Sequence, residues 1–96
     1  MPATGDEPTV AGVPINIDRL SKVPTYKQLA DELRRIIREQ PGELDVDELT
    51  GARRLPSTHA LMRETMLAQN TIRAAIRLLD EDGTVVSVPG RGVYVK

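Results

Sequence analysis

Between Leu55 and Leu79 the chain reads LPSTHALMRETMLAQNTIRAAIRLL, and no other stretch constrains the fold as tightly. Two short helices joined by a tight turn satisfy it. Ser57 directly follows Pro56. A Ser hydroxyl at a helix start accepts from a free backbone N–H of the first turn, so the first of the pair is predicted to open at Ser57. The second is predicted from about Asn70 to Asp80. Its apolar residues Ile72, Ala75, Ile76 and Leu79 fall at i, i+3, i+4 and i+7 and share one face. The opposite face carries Gln69, Asn70, Thr71, Arg73, Ala74 and Arg77. Arg matches guanine edges or phosphates in a major groove, and Asn or Gln matches adenine edges. This pattern implies a helix-turn-helix whose second helix is the reader. Met62, Met66 and Leu67 are expected in its core.

The segment after the reader helix fits a wing. Gly83 is placed to take a positive φ after the helix, and the acids Asp80, Glu81 and Asp82 before it are expected to solvate that end. Thr84–Val88 is β-branched, Val93–Val95 is its return strand, and Pro89-Gly90-Arg91-Gly92 is the turn between them, with one guanidinium at its tip.

Upstream, Thr25 and Gln28 have the T-x-x-Q spacing of a capping box. Tyr26, Leu29, Ala30, Leu33, Ile36 and Ile37 keep helical spacing to about Glu39, and Pro41-Gly42 ends the helix. Arg34, Arg35 and Arg38 lie on its polar face, where Asp31 and Glu32 offer ion pairs at i,i+3 and i,i+4. Residues 1–13 mix Pro, Gly, Thr and acids without periodicity and are expected to be disordered. Pro14 to Pro24 reads as an extended arm or short strand. The expected organisation is therefore a flexible arm over 1–23 and one domain over 24–96. In residues 43–54, Leu44, Val46 and Leu49 are expected to anchor a loop or one helical turn at Asp47–Thr50, followed by a short strand at Arg53-Arg54-Leu55. The acids there lack calcium-loop spacing.

Composition removes other classes. The 96 residues contain no Cys, and His59 is the single histidine, so neither a disulfide, a metal centre nor a His-paired catalytic site is expected. No nucleophile–base pair or phosphate loop is visible, so no enzyme and no cofactor are expected. Tyr26 and Tyr94 are the only aromatics, too few for a base-stacking platform. No apolar run is long enough for a membrane span. The first residues lack a basic segment before an apolar block, so the expected location is the cytoplasm, at the nucleoid. Charge is uneven. Residues 1–50 hold six Lys/Arg against ten Asp/Glu, while residues 51–96 hold seven against four. Phosphate attraction depends on that local balance rather than the sum.

Taken together these motifs resemble the N-terminal winged helix of GntR-type bacterial transcriptional regulators. The likeness runs from about Pro24 to Val95. It rests on Pro24-Thr25-Tyr26 with Gln28, on Arg54-Leu55-Pro56-Ser57, on Asn70-Thr71-Ile72-Arg73 with Ala75-Ile76, on Asp82-Gly83, and on Pro89-Gly90-Arg91-Gly92-Val93-Tyr94-Val95. The fold implied is α+β, mainly α: three helices and a C-terminal two-stranded wing. The resemblance implies DNA contacts at Arg54, His59, the Ala68-Gln69-Asn70-Thr71 start of the reader helix, Arg73 and Gly90-Arg91-Gly92. Ser57 and Arg77 complete the expected DNA-binding set. His59 stands where the family usually has Arg, Gln69 also where it has Arg, Ala68 where it has a capping Ser, and Met66 where it often has Gly.

The expected function is a sequence-specific, double-stranded DNA-binding regulator of repressor type, acting as a homodimer on a two-fold operator. No effector site is expected within this chain. The alternative is a winged-helix protein-interaction module or accessory factor without selective DNA binding.

Overall fold

A computed structural model describes residues 7–96. The helices are α1 (Thr25–Glu39), α2 (Thr58–Thr65) and α3 (Gln69–Glu81). Strands are β1 (Thr9–Val10), β2 (Val13–Pro14), β3 (Asp45–Val46), β4 (Arg53–Arg54), β5 (Val85–Val88) and β6 (Gly92–Val95). Helix α1 buries Leu29, Ala30, Leu33 and Ile36 against the buried face of α3, formed by Ile72, Ala75, Ile76 and Leu79. Helical spacing of the apolar residues therefore did set which faces meet.

The capping box is not formed. Thr25 is already helical, and Pro24 is the cap, its carbonyl accepting from Lys27 and Gln28. The Gln28 side chain instead ties down the preceding strap. Its Nε2 donates to the carbonyls of Asp18 (2.9 Å) and Val23 (2.8 Å), and its Oε1 accepts from the Asp18 N–H (2.7 Å).

Part of the segment expected as a flexible arm forms regular structure. β1 and β2 form a hairpin in which Val10 pairs with Val13. Its two turn residues, Ala11 and Gly12, both have positive φ, the turn geometry whose twist suits paired strands. Val10, Val13 and Ile15 are buried in the common core. One Glu64 oxygen on α2 accepts from the Thr9 hydroxyl and the Gly12 N–H, each at 3.0 Å. Residues 1–6 of the segment expected to be disordered lie outside the described residues.

Residues 43–54 follow expectation in part. A 3-10 turn at Pro41–Glu43 closes α1, and β3 and β4 then form a hairpin: β4 is the short strand expected at Arg53-Arg54, and one turn, closed by the Gly51 N–H donating to the Asp47 carbonyl, connects it to β3, which was not expected. Leu44 is buried, but Val46 and Leu49 are exposed, so only Leu44 anchors the segment. Hairpin and wing share one antiparallel sheet in the order β3-β4-β6-β5. Arg54 pairs with Tyr94 across β4 and β6, and Val86 pairs with Tyr94 across β5 and β6.

Two further expectations change. Met66 is 70% exposed rather than core, because it ends α2 in a left-handed conformation with φ +61, while the next residue, Leu67, is buried. Asp82 does more than solvate the end of α3: it accepts from the Arg34 side chain of α1. Gly83 takes φ +83 after it, as its position in the sequence predicted.

Candidate nucleic-acid interface

Three elements converge on one side of the domain, and short hydrogen bonds fix their relation. Ser57 is extended and caps α2, its Oγ accepting from the Ala60 N–H at 3.1 Å. Arg54 lies three residues upstream in β4. The Leu55 N–H donates to the Val93 carbonyl at 2.9 Å, which ties the start of α2 to the wing. His59 is exposed in the first turn of α2.

Helix α3 begins after Ala68, which is extended but supplies no side-chain cap. Gln69, Asn70, Arg73 and Arg77 are exposed, whereas Thr71 and Ala74 are half-buried. The polar face read from the sequence is thus outward.

At the wing tip Gly90 has φ +78 and Gly92 φ +133, with Arg91 exposed between them. A side chain at Gly92 would be doubly disfavoured. Its φ is strained for an L residue, and a Cβ would stand 3.1 Å from Cδ of Arg54. The missing Cβ lets the Arg54 stem lie across the strand.

Two adjoining clefts show which residues are brought together. One, of about 650 Å³, lies between wing and α2 and is lined in part by Arg54, Ser57, Arg91 and Gly92. The other, of about 350 Å³, lies between α3 and the wing and includes Arg73 and Arg77. Thr58 and Val93 line both. His59, Gln69, Asn70, Thr71 and Gly90 line neither; the first four sit at the openings of α2 and α3, and Gly90 at the wing tip. Thr58 and Ser87 are additions that sequence reasoning missed. Ser87 could have been found from strand alternation, since it shares a face with Val85 and projects toward the α3 side of the wing. Thr58 has no comparable signal beyond its place next to the cap.

Ion pairing separates the arginines into two groups. On α1, Arg34 pairs with Asp31 and Asp82, Arg35 with Glu32, and Arg38 with Glu39. Among the described residues no carboxylate pairs with Arg54, Arg73 or Arg77, nor with Arg19, Arg53 or Arg63, of which Arg19 and Arg53 donate to the carbonyls of Met66 and Leu44. Asp80 therefore leaves Arg77 unpaired although it lines the same cleft. Guanidiniums left without partners on one surface retain their charge and donors for an external anion. Arg91 is intermediate, with Nη2 3.4 Å from an Asp47 oxygen. The Asp47 carboxyl is held below its ordinary range, chiefly by the Leu49 backbone N–H; burial opposes this, and the Thr50 hydroxyl and the charges of Arg91 and Arg54 add smaller lowering effects. Among the described residues no helix is long and apolar enough to cross a membrane.

Comparison with known proteins places this geometry. The family described as "Bacterial regulatory proteins, gntR family" matches residues 25–95. Over 73 residues the chain is 37% identical to the mannosyl-D-glycerate transport/metabolism system repressor MngR of Escherichia coli (strain K12). That match covers 76% of this chain, which spans only 28% of the relative's length. Among solved structures, YtrA from Sulfolobus acidocaldarius, a GntR-family transcription factor, superposes with a TM-score of 0.69 at 34% identity, covering 85% of this chain and 79% of that one. The structure of AraR(DBD) in complex with operator ORX1 superposes with a TM-score of 0.67 at 28% identity, covering 85% and 93%.

Proposed function

The chain belongs to the gntR family of bacterial regulatory proteins, and from this premise we propose that it is a DNA-binding transcription regulator that represses by seating α3 in the major groove of an operator. In that reading Arg73 and the amides of Gln69 and Asn70 face base edges, while Arg77 and Thr71 serve the adjoining groove wall or backbone. Arg54, Ser57 and His59 hold phosphates at the start of α2, and Gly90-Arg91-Gly92 tracks the neighbouring strand. Two copies act together on a two-fold site, and occupancy of a promoter excludes polymerase. The work is done in the cytoplasm and involves no catalysis. The operator named for AraR(DBD) and the repressor named for MngR support this reading by likeness.

The observation that carries it is the contrast in pairing. The α1 arginines are consumed by carboxylates, whereas among the described residues Arg54, Arg73 and Arg77 have no carboxylate partner around two clefts that share Thr58 and Val93. Binding to random duplex and to genomic fragments, each at two salt concentrations, tests the function. About five phosphate contacts per copy give a log–log salt slope near −4 to −5. A selectively retained fragment with that slope is the expected result. A flat salt response with no selected fragment sinks the proposal and leaves a protein-interaction module.

A further inference from the structure

The wing arginine is not presented alone. The β3–β4 hairpin extends the wing sheet by two strands and carries Asp47 to within 3.4 Å of Arg91. Asp47 is well held there. Its Oδ1 accepts from the Leu49 N–H at 3.0 Å and its Oδ2 from the Thr50 hydroxyl at 3.2 Å. Its backbone is fixed at both ends of the turn: its N–H donates to Ala52 at 2.8 Å, and its carbonyl accepts from Gly51 at 2.7 Å. The Asp47 side chain is 12% exposed, against 50% for Arg91. The carboxylate is therefore the fixed member of the pair and the guanidinium the accessible one.

We propose that Asp47 is a specificity-determining residue for DNA binding, one that cancels the charge of Arg91 while leaving its donors usable. This rests on the DNA-binding function proposed for the chain. A guanidinium carries five N–H donors, and a single one faces Asp47. A charge acts at a distance on any phosphate, whereas hydrogen bonds form only when the wing is seated at the right spacing. Pairing thus lowers the attraction of the wing for arbitrary duplex more than its contribution at a properly docked site. The Arg54 guanidinium, which also acts on the Asp47 charge, falls under the same influence.

The test compares a random-sequence duplex with the best genomic fragment retained by the wild type, over a salt series. Asp47→Asn removes the charge but keeps the Oδ1 acceptor for the Leu49 N–H, and its Nδ2 donates to the Thr50 hydroxyl oxygen in place of the bond that Asp47 accepts there. It is expected to steepen the random-duplex salt slope by up to about 0.9, to tighten random-duplex binding several-fold, and to narrow the ratio between fragment and random duplex. Glu48→Gln makes the same charge change on an exposed neighbour without the Arg91 contact and is expected to give less than half of that shift. Thr50→Ala loosens the turn but keeps the charge and is expected to leave the slope unchanged. Independently of how the Asp47 variant folds, Arg91→Gln is expected to change the slope by less than half as much as Arg77→Gln, which removes an arginine without a carboxylate partner among the described residues. If Asp47→Asn matches Glu48→Gln, or leaves the slope where it was, or if Arg91→Gln and Arg77→Gln shift it equally, Asp47 is only a turn residue and the inference fails. A wild type that binds no duplex at all overturns the DNA-binding proposal and this inference with it. A wild type that binds while the variants show no difference overturns this inference alone.

Discussion

Arg34 of α1 and Asp82 at the end of α3 clasp each other across the helix pair. Arg34 Nε donates to Asp82 Oδ2 at 3.0 Å, and Nη2 reaches the same oxygen. The Asp82 carboxyl also accepts from the Thr84 hydroxyl and N–H. Hydrogen bonds from the Thr84 side chain, from Arg34 and from the Thr84 backbone lower it from an ordinary 3.8 to about 2. This carboxylate fixes where α3 stops and β5 starts, and so where reader helix and wing sit relative to each other.

The clasp makes stability depend on pH, with a definite sign. A carboxyl whose folded pKa lies below its unfolded one stabilises the fold above the unfolded value, and that contribution is lost as pH falls through the folded one. The window here runs from about 4 down to about 2. Thermal melts of Asp82→Asn are expected to show a lower Tm than wild type at pH 7 and a much smaller difference near pH 2.

Met66→Gly is expected to stabilise the domain by about 1 kcal/mol, since a left-handed conformation is costly for any residue with a Cβ. Met66 holds φ +61 and is 70% exposed, so little packing is lost with its side chain. A rise in the denaturant midpoint at unchanged slope checks this.

Val10→Ala is expected to destabilise by about 1–3 kcal/mol, the usual result of removing buried methyl groups. Val10 is fully buried beneath the β1–β2 hairpin. Urea unfolding measures it. A change under a few tenths of a kcal/mol would mean that the hairpin is not part of the folding unit.

Arg73→Ala is expected to weaken operator binding by roughly 1–3 kcal/mol and to relax the base preference at one position, if it reads a base. Arg38→Ala, on the paired face of α1, is expected to leave binding unchanged. Competition with single-base operator variants checks both.

Legibility in the sequence tracked the length and periodicity of each element. α1 and α3 were readable to within a residue or two, because Leu29–Ile36 and Ile72–Leu79 repeat at the helical period and the positions of Ser57 and Gly83 mark boundaries. The wing was readable from Val85–Val88, a glycine-rich turn and Val93–Val95. Of the β3–β4 hairpin only β4 was readable, since two-residue strands show no alternation and the pair is held by its sheet partner β6. The β1–β2 hairpin was hidden by a Pro- and Gly-rich composition. Its signal, two valines around a two-residue Ala-Gly turn, lacks the Asn or Asp that usually marks such a turn. Thr25–Gln28 had the right spacing for a capping box, but Pro24 became the cap and Gln28 was taken by the strap. At the candidate site the residue types were legible, while the pairing that separates Arg73 from Arg34 and sets Asp47 against Arg91 depends on contacts between residues far apart in sequence.

The most direct measurement is an amide chemical-shift titration of the protein with duplex DNA. Residues 54–59, 69–77 and 89–93 are expected to shift together along one binding curve, while Asp31, Arg35 and Arg38 on the outer face of α1 stay silent. Shifts on α1 with a silent α3, or no response to duplex in low salt, would contradict the assignment of this surface to DNA.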